Sequence, residues 1–78
     1  MNEKIYEYCK NFAKNIKIER LANKMTQKQV ASAIGITTQS YQSYEANQSF
    51  PTVANLLKLC ILFNTSIDEL FEIEKYHN

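Results

Sequence analysis

Four uncharged polar residues recur at the spacing of one helical face in the middle of the chain: Thr38, Gln39, Gln42 and Ser43. Their amide and hydroxyl groups provide both hydrogen-bond donors and acceptors. In the major groove of DNA, glutamine can pair in bidentate fashion with adenine N6 and N7, and a hydroxyl group can bond several base edges. These residues therefore indicate a helix that reads base edges. The alternative is a neutral surface helix without a ligand.

Two short helical patterns, separated by a single glycine, would position these residues. Their apolar residues lie at helical spacing, with two tyrosines three positions apart in the second pattern: Val30, Ala31, Ile34, Tyr41 and Tyr44. Gly35 falls where a helix usually ends at positive φ. Thr26 and Gln29 form a capping-box pattern, and Thr37 is expected to cap the second helix. Two helices that cross over such a turn predict a helix-turn-helix over residues 26–45.

The order and spacing of these residues resemble the phage repressor/Cro-like (XRE-type) helix-turn-helix family, from about residue 16 to residue 71. The residues that carry the resemblance are Arg20, Thr26, Gln27, Ala31, Gly35, Tyr41, Tyr44, Glu45, Pro51 and the run Ile67 to Phe71. One departure is Ala46-Asn47, where the family usually has Asn-Gly. Asparagine tolerates the left-handed conformation, so we expect the turn to be retained. The resemblance implies an all-α, five-helix bundle of the lambda repressor-like DNA-binding type.

The resemblance also implies roles for individual side chains. Thr38, Gln39, Gln42 and Ser43 occupy its base-reading positions, and Arg20 with Glu45 resembles its partly buried, structural ion pair. Gln27 lies at a helix N-terminus, where free N–H groups favour an anion, and its family counterpart contacts the DNA backbone. The other expected phosphate contacts are Lys28, Asn47, Gln48, Ser49 and, if its ring is only partly buried, Tyr41. For residues 47–49, a polar loop that only turns the chain is an equal alternative.

The N-terminal segment predicts a long first helix, from about Glu3 to Asn23. Its apolar stripe is expected to contain Ile5, Cys9, Phe12, Ile16 and Leu21. Residues 1–15 lie outside the minimal motif. They would either extend this helix onto the C-terminal helix or supply a dimer contact. Tyr6 and Tyr8 would form a cover over the core or an exposed aromatic strip, and we favour the cover.

Two further helices follow the helix-turn-helix. Thr52 is expected to cap a helix from Val53 to Phe63 that forms the centre of the core through Val53, Leu56, Leu57, Cys60, Ile61 and Phe63. Ser66 and Glu69 form a second capping-box pattern at the start of a short fifth helix. Residues 74–78 are expected to be a polar tail. A chain of 78 residues is too short for two cores, so residues 1–78 are expected to be one domain.

Charge alone does not decide between a nucleic-acid reader and an ordinary surface, because the formal net charge is only +1. The basic residues crowd the first third of the chain, where they are opposed by Glu3, Glu7 and Glu19: Lys10, Lys14, Lys17, Arg20, Lys24 and Lys28. The C-terminal part is acidic, with Asp68, Glu69, Glu72 and Glu74. A basic face with an acidic opposite end suits a small DNA reader. Solvated helix faces explain the same pattern equally well.

Several functions are disfavoured by the sequence. Cys9 and Cys60 are far apart and are expected to be reduced thiols in the cytoplasm, and His77, the one histidine, gives little support to a zinc site. The N-terminus lacks the hydrophobic run of a signal peptide. Lys58 interrupts the longest apolar-rich stretch, so no membrane span is expected. We expect no cofactor and no small-molecule ligand, and no nucleophile–base pair or phosphate-binding glycine loop suggests an enzyme.

Two functional hypotheses remain. The first is a sequence-specific transcriptional regulator, a repressor that binds double-stranded DNA as a homodimer on a short inverted repeat. The second is a protein-interaction module, antitoxin-like or an adaptor, that keeps the helix-turn-helix fold. The low net charge and the aromatic residues of the N-terminal extension favour the second hypothesis.

Overall fold

Residues 2–74 fold into five α-helices, as expected from the sequence. A computed structural model describes residues 2–74, and no strand occurs in that part of the chain. The helices are α1 (Glu3–Ala22), α2 (Gln27–Ile34), α3 (Thr38–Glu45), α4 (Val53–Phe63) and α5 (Ile67–Phe71). None of them is both long enough and apolar enough to cross a membrane.

The caps of the helix-turn-helix confirm the sequence prediction. The Thr26 hydroxyl accepts a hydrogen bond from the Gln29 N–H at 3.0 Å, and the Gln29 side chain accepts one from the Thr26 N–H at 2.8 Å. Gly35 ends α2 at a φ of +78°, which a residue without Cβ adopts freely. Thr37 caps α3 by accepting from the Ser40 N–H at 3.0 Å. Local hydrogen bonds therefore fix where both motif helices begin.

The core lies between the five helices, each of which contributes at least one buried side chain. Tyr41 and Tyr44 turn their rings into it, and their ring centroids lie 6.1 Å apart in edge-to-face geometry. The other buried members are Phe12, Ile16, Val30, Ala31, Ile34, Leu59, Phe63 and Leu70. Because α3 buries both tyrosines, its opposite face is turned outward.

The middle of α1 packs on α5. The rings of Phe12 and Phe71 stack with a centroid distance of 5.0 Å. The side-chain amides of Asn11 and Asn15 donate to the carbonyl oxygens of Phe71 and Leu70 at 3.1 and 2.9 Å. Packing on the C-terminal helix, one of the two uses considered for this extension, is therefore present, and the dimer contact stays a prediction.

The expected stripe of α1 is wrong at both ends. Leu21 is exposed because the buried row continues from Ile16 to Arg20, one helical turn further, and this places Leu21 to the side. Ile5 is exposed because it lies about two turns before Phe12, beyond the part of α1 that α5 covers. Tyr6 is also exposed, which corrects its assignment to a cover over the core.

The expected core face of α4 is wrong in part: Phe63 is in the core and Leu56 and Cys60 pack against it, as expected, but the other three residues do not. Leu59, which was not assigned to the core, is fully buried, whereas Val53, Leu57 and Ile61 are 74%, 47% and 80% exposed. This helix is apolar on almost every side, so its hydrophobicity does not identify one face. The buried row runs from Leu59 to Phe63. Val53, Leu57 and Ile61 form a second row at intervals of four residues, called here the α4 ridge.

The start of α5 agrees only in part with the sequence prediction. The Ser66 hydroxyl accepts from the Glu69 N–H at 3.0 Å. The reciprocal bond of a capping box is not formed in the described part of the chain. Of the expected polar tail, Glu74 is described, whereas residues 75–78, which include His77, lie outside the described residues.

Candidate nucleic-acid interface

The outward face of α3 presents the four residues singled out in the sequence. Gln39 and Gln42 are exposed, and Thr38 and Ser43 are half-buried. None of the four carries a charge, and the two tyrosines hold the opposite face of the helix in the core. The face therefore offers amide and hydroxyl groups at the surface of a fixed helix.

Thr38 and Gln39 are the least constrained of the four. Neither side chain makes a hydrogen bond to another residue in the part of the chain that the structure describes. Their donors and acceptors are therefore free for a ligand. Lys28 and Gln48, two of the expected phosphate contacts, are likewise exposed and make no side-chain hydrogen bond among residues 2–74.

The hydroxyl groups of Ser43 and Ser49 are hydrogen-bonded to each other. The Ser43 hydroxyl donates to the Ser40 carbonyl oxygen at 2.6 Å and also contacts the Ser49 hydroxyl. Because Ser43 has one hydroxyl hydrogen, Ser49 is the donor in their mutual hydrogen bond. Ser43 can then only accept from a base. In this arrangement the Ser49 hydroxyl donates to Ser43, and the expected contact from Ser49 to a phosphate stays a prediction.

The loop after α3 keeps the family turn despite its departure in sequence. Asn47 has a φ of +58°, as its expected left-handed conformation requires, and its N–H donates to the Tyr44 carbonyl oxygen at 3.2 Å. The N–H groups of Gln48 and Ser49 both donate to the Ser43 carbonyl oxygen. The loop is therefore attached to the C-terminal end of α3, and Gln48 extends from it into solvent.

A bidentate ion pair joins the end of α1 to the end of α3. Arg20 Nε and Nη2 donate to the two carboxylate oxygens of Glu45 at 2.7 and 3.1 Å. Arg20 Nη1 donates to the Met25 carbonyl oxygen at 3.0 Å, just before α2. The two charged side chains are only 11% and 5% exposed. The pair therefore fixes the position of α3 relative to the start of the helix-turn-helix.

Gln27 and Gln42 extend this ion pair toward the surface. Gln27 Nε2 donates to Glu45 Oε1 at 3.1 Å, and Gln42 Nε2 donates to Gln27 Oε1 at 3.2 Å. The structure thus brings together one expected phosphate contact and one expected base reader, a contact that sequence reasoning missed. No sequence signal indicates it, because the bond depends on the crossing of two helices.

Tyr41 cannot serve as the phosphate contact considered for it. Its ring is fully buried, so the condition of partial exposure is not met. Its hydroxyl makes no hydrogen bond among the described residues. Burial, and after it the neighbouring Glu45 carboxylate, raises the pKa of Tyr41 well above the usual range of a phenol. The role of Tyr41 is to pack α3 onto the core.

The charge pattern suggested an acidic end opposite the basic first helix. Instead, Glu72 and Glu74 of the acidic C-terminal part lie against that helix. Lys14 pairs with Glu72 at 3.0 Å and Lys4 with Glu74 at 3.5 Å. These contacts follow from the packing of α5 on α1. Lys28, in the first turn of α2, remains near the candidate interface.

Acid is expected to weaken the fold through Glu45. Burial opposes its ionisation, but hydrogen bonds from Arg20 and Gln27 outweigh this effect and lower its pKa. A carboxyl whose pKa is lowered by folding stabilises the native state fully above the unfolded pKa of about 4.3 and loses this effect as pH falls through the folded pKa. Urea unfolding at pH 7 and at successively lower pH should therefore show a falling free energy. In the double variant Arg20→Met/Glu45→Leu the decline should be smaller, and an equal decline would contradict the assignment to Glu45.

The fold and this surface define a helix-turn-helix domain of the phage repressor/Cro-like type. A family model described as helix-turn-helix matches residues 16–70, and the chain belongs to this XRE-type family. The resemblance found in the sequence is thereby confirmed.

Curated proteins to which this chain is similar are named as transcriptional regulators. The cryptic phage CTXphi transcriptional repressor RstR of Vibrio cholerae is 46% identical over 57 residues, which are 67% of this chain and 51% of that protein. Two uncharacterized HTH-type transcriptional regulators of Bacillus subtilis, YobD and YqaE, are 41% and 32% identical over 49 and 63 residues. They are matched over 44% and 54% of their own lengths. The chain thus spans about half the length of these relatives, and no solved structure matches it.

Proposed function

We propose that this chain binds double-stranded DNA with sequence specificity and regulates transcription as a repressor. The observation that carries the proposal is the outward face of α3, where Thr38 and Gln39 offer unbonded polar groups on a helix fixed by the Arg20–Glu45 pair. A helix with these groups fits the major groove and its base edges. The similarity to a phage transcriptional repressor adds support.

Contacts to phosphates would position this helix without reading sequence. Gln48 in the loop after α3 and Lys28 in the first turn of α2 are exposed and make no side-chain hydrogen bond among the described residues. Asn47 holds the loop in its turn.

Helix α3 has eight residues and would cover only a few base pairs, so we propose a homodimer on an inverted repeat with half-sites about one helical turn apart. We also propose that it acts in the cytoplasm, where Cys9 and Cys60, which form no disulfide among the described residues, would remain reduced.

Selection from a randomised duplex DNA pool at moderate salt is the direct test. The wild-type protein is expected to enrich a palindromic sequence whose half-site spacing gives the dimer geometry. In Gln39→Ala the preference should be lost at one position of each half-site, because a good amide–base pair contributes about 1–3 kcal/mol of discrimination.

Gln48→Ala is the matched control, since the same amide is removed from the loop. It should weaken binding to all sequences by a similar factor and leave the preference unchanged. If the wild-type protein enriches no sequence, even at low salt where phosphate contacts are strongest, the proposal is wrong.

A protein-interaction module is the second candidate, and the α4 ridge favours it. Val53, Leu57 and Ile61 expose three branched apolar side chains on one side of α4. Clustered apolar surface often marks a protein contact. This function predicts that Gln39→Ala has no effect on any DNA binding that is observed. Loss of base preference in Gln39→Ala would exclude protein interaction as the role of α3.

A further inference from the structure

Two serine hydroxyl groups form a short chain of hydrogen bonds at the C-terminal end of α3. The Ser43 hydroxyl donates to the Ser40 carbonyl oxygen at 2.6 Å, one turn earlier in the helix. The Ser49 hydroxyl contacts the Ser43 hydroxyl from the loop that follows α3. The Ser49 N–H also donates to the Ser43 carbonyl oxygen at 3.3 Å, so the two residues are joined through backbone and side chain. The loop hydroxyl therefore lies beside a residue of the expected base-reading face.

The hydrogens of both hydroxyl groups are directed into the protein. A hydroxyl group carries one hydrogen and two lone pairs. Ser43 gives its hydrogen to the Ser40 carbonyl oxygen, so the hydrogen between the two hydroxyl groups belongs to Ser49. After these two bonds, the half-buried Ser43 retains one lone pair and no hydrogen. Any partner that Ser43 meets at the surface must therefore be a donor.

We propose that Ser43 accepts a hydrogen bond from a base amino group, N6 of adenine or N4 of cytosine, and that Ser49 is the positioning residue that keeps it an acceptor. This inference rests on the proposed DNA-binding function and specifies the class of base at one position. Adenine and cytosine present these amino donors in the major groove, whereas guanine O6 and thymine O4 are acceptors. A hydroxyl group without a free hydrogen therefore favours the first two bases and opposes the other two.

Ser49 is needed because a serine hydroxyl on a helix is otherwise free to change its partner. The bond from Ser43 to the helix carbonyl is a local interaction that competes with other acceptors. To donate to a keto oxygen, the Ser43 hydroxyl must rotate away from Ser40, and with Ser49 present this rotation also disrupts the bond from the loop. The second bond therefore opposes the change of role. Without it, we expect Ser43 to donate to guanine or thymine.

The test first locates the base that Ser43 contacts. Selection from a randomised duplex pool with wild type and Ser43→Ala shows the position whose preference depends on this side chain. Binding is then measured to four duplexes that carry adenine, cytosine, guanine or deoxyuridine there and are otherwise identical. Deoxyuridine has the O4 acceptor of thymine without its methyl group, so an apolar contact does not contribute. We expect wild type to bind the adenine and cytosine duplexes about fivefold more tightly than the other two.

Ser49→Ala removes the donor of the loop and is the decisive variant. The preference for amino bases should fall to less than about twofold, because binding to the guanine and deoxyuridine duplexes becomes tighter. A purely structural role of Ser49 would not strengthen binding to any duplex. Ser49→Thr keeps the hydroxyl group and should retain the wild-type preference. Adding Ser49→Ala to Ser43→Ala should produce no further change in preference.

Two controls separate this effect from damage to the fold. Ser32→Ala makes the same substitution on the exposed surface of α2, outside this chain of hydrogen bonds, and should keep the wild-type preference. Thermal unfolding shows whether Ser49→Ala is folded under the binding conditions. If it is not, Ser49→Cys replaces it in the same comparison, since a thiol is similar in size to a hydroxyl group and is only a weak donor.

The outcomes separate this inference from the function on which it rests. If wild type enriches no sequence, the proposed function is wrong. If wild type is specific but prefers guanine or thymine where Ser43 acts, or if Ser43→Ala alters the preference at no position, the inference is wrong. It is also wrong if Ser49→Ala leaves the preference unchanged or weakens binding to all four duplexes equally, which is the result expected when Ser49 contacts a phosphate.

Discussion

Replacing Arg20 by alanine is expected to lower the free energy of unfolding by about 3–5 kcal/mol, because it leaves the Glu45 carboxylate buried without its counter-ion. The Glu45 side chain is only 5% exposed, so water cannot replace the two lost hydrogen bonds. Glu45→Ala should have a comparable effect by leaving the Arg20 guanidinium unpaired. Urea unfolding monitored by circular dichroism measures both.

An exposed ion pair of the same protein provides the matched control. Lys14 and Glu72 lie 3.0 Å apart, but their side chains are 56% and 48% exposed. Lys14→Ala should therefore cost only about 0–1 kcal/mol. The double variant Arg20→Met/Glu45→Leu should be closer to wild type than either single variant, since no charge is then stranded. Single variants that lose less than about 1 kcal/mol would show that the pair is effectively solvated.

Replacing Leu59 by alanine is the second change with a large expected effect. Leu59 is fully buried in the centre of the core. Truncation of such a side chain removes its transfer free energy and leaves a cavity, at a cost of about 2–5 kcal/mol. In a domain of this size, that is a large part of the total stability. Thermal and urea unfolding should both show the loss.

Leu57→Ala is the matched control for Leu59→Ala, because both residues are leucines of α4. Its side chain is 47% exposed on the α4 ridge, and alanine has the higher helix propensity. Leu57→Ala should therefore change the free energy of unfolding by less than about 1 kcal/mol. Equal losses in the two variants would contradict the placement of α4 described above.

Features governed by short-range chemistry could be predicted from the sequence. The caps at Thr26 and Thr37 and the left-handed Gly35 follow from interactions within a few residues, and each was correct. The side of α3 that faces the core also followed from local spacing, because only Tyr41 and Tyr44 break its polar pattern. Family membership added the order of the helices.

The remaining features depend on contacts between distant residues. The buried face of α4 could not be recognised because the helix is apolar on nearly all sides, and its packing against α1 and α2 decides that Leu59 is inside. Leu21 was misplaced because a charged residue, Arg20, occupies the buried row. The link between Gln27 and Gln42 requires the crossing geometry of α2 and α3. The assignment of base-reading and phosphate-contacting residues remains a prediction.

The packing of α5 on α1 has a consequence for the order of events during synthesis. The carbonyl oxygens of Leu70 and Phe71 accept from Asn15 and Asn11, which precede them by 55 and 60 residues. The ribosome therefore completes α1 long before its partner exists, whereas α2 and α3 adjoin and can pair as they emerge. Until residue 71 is available, one side of α1 remains unprotected, and a chaperone could bind it there. The chain can complete its core only after its fifth helix has been made.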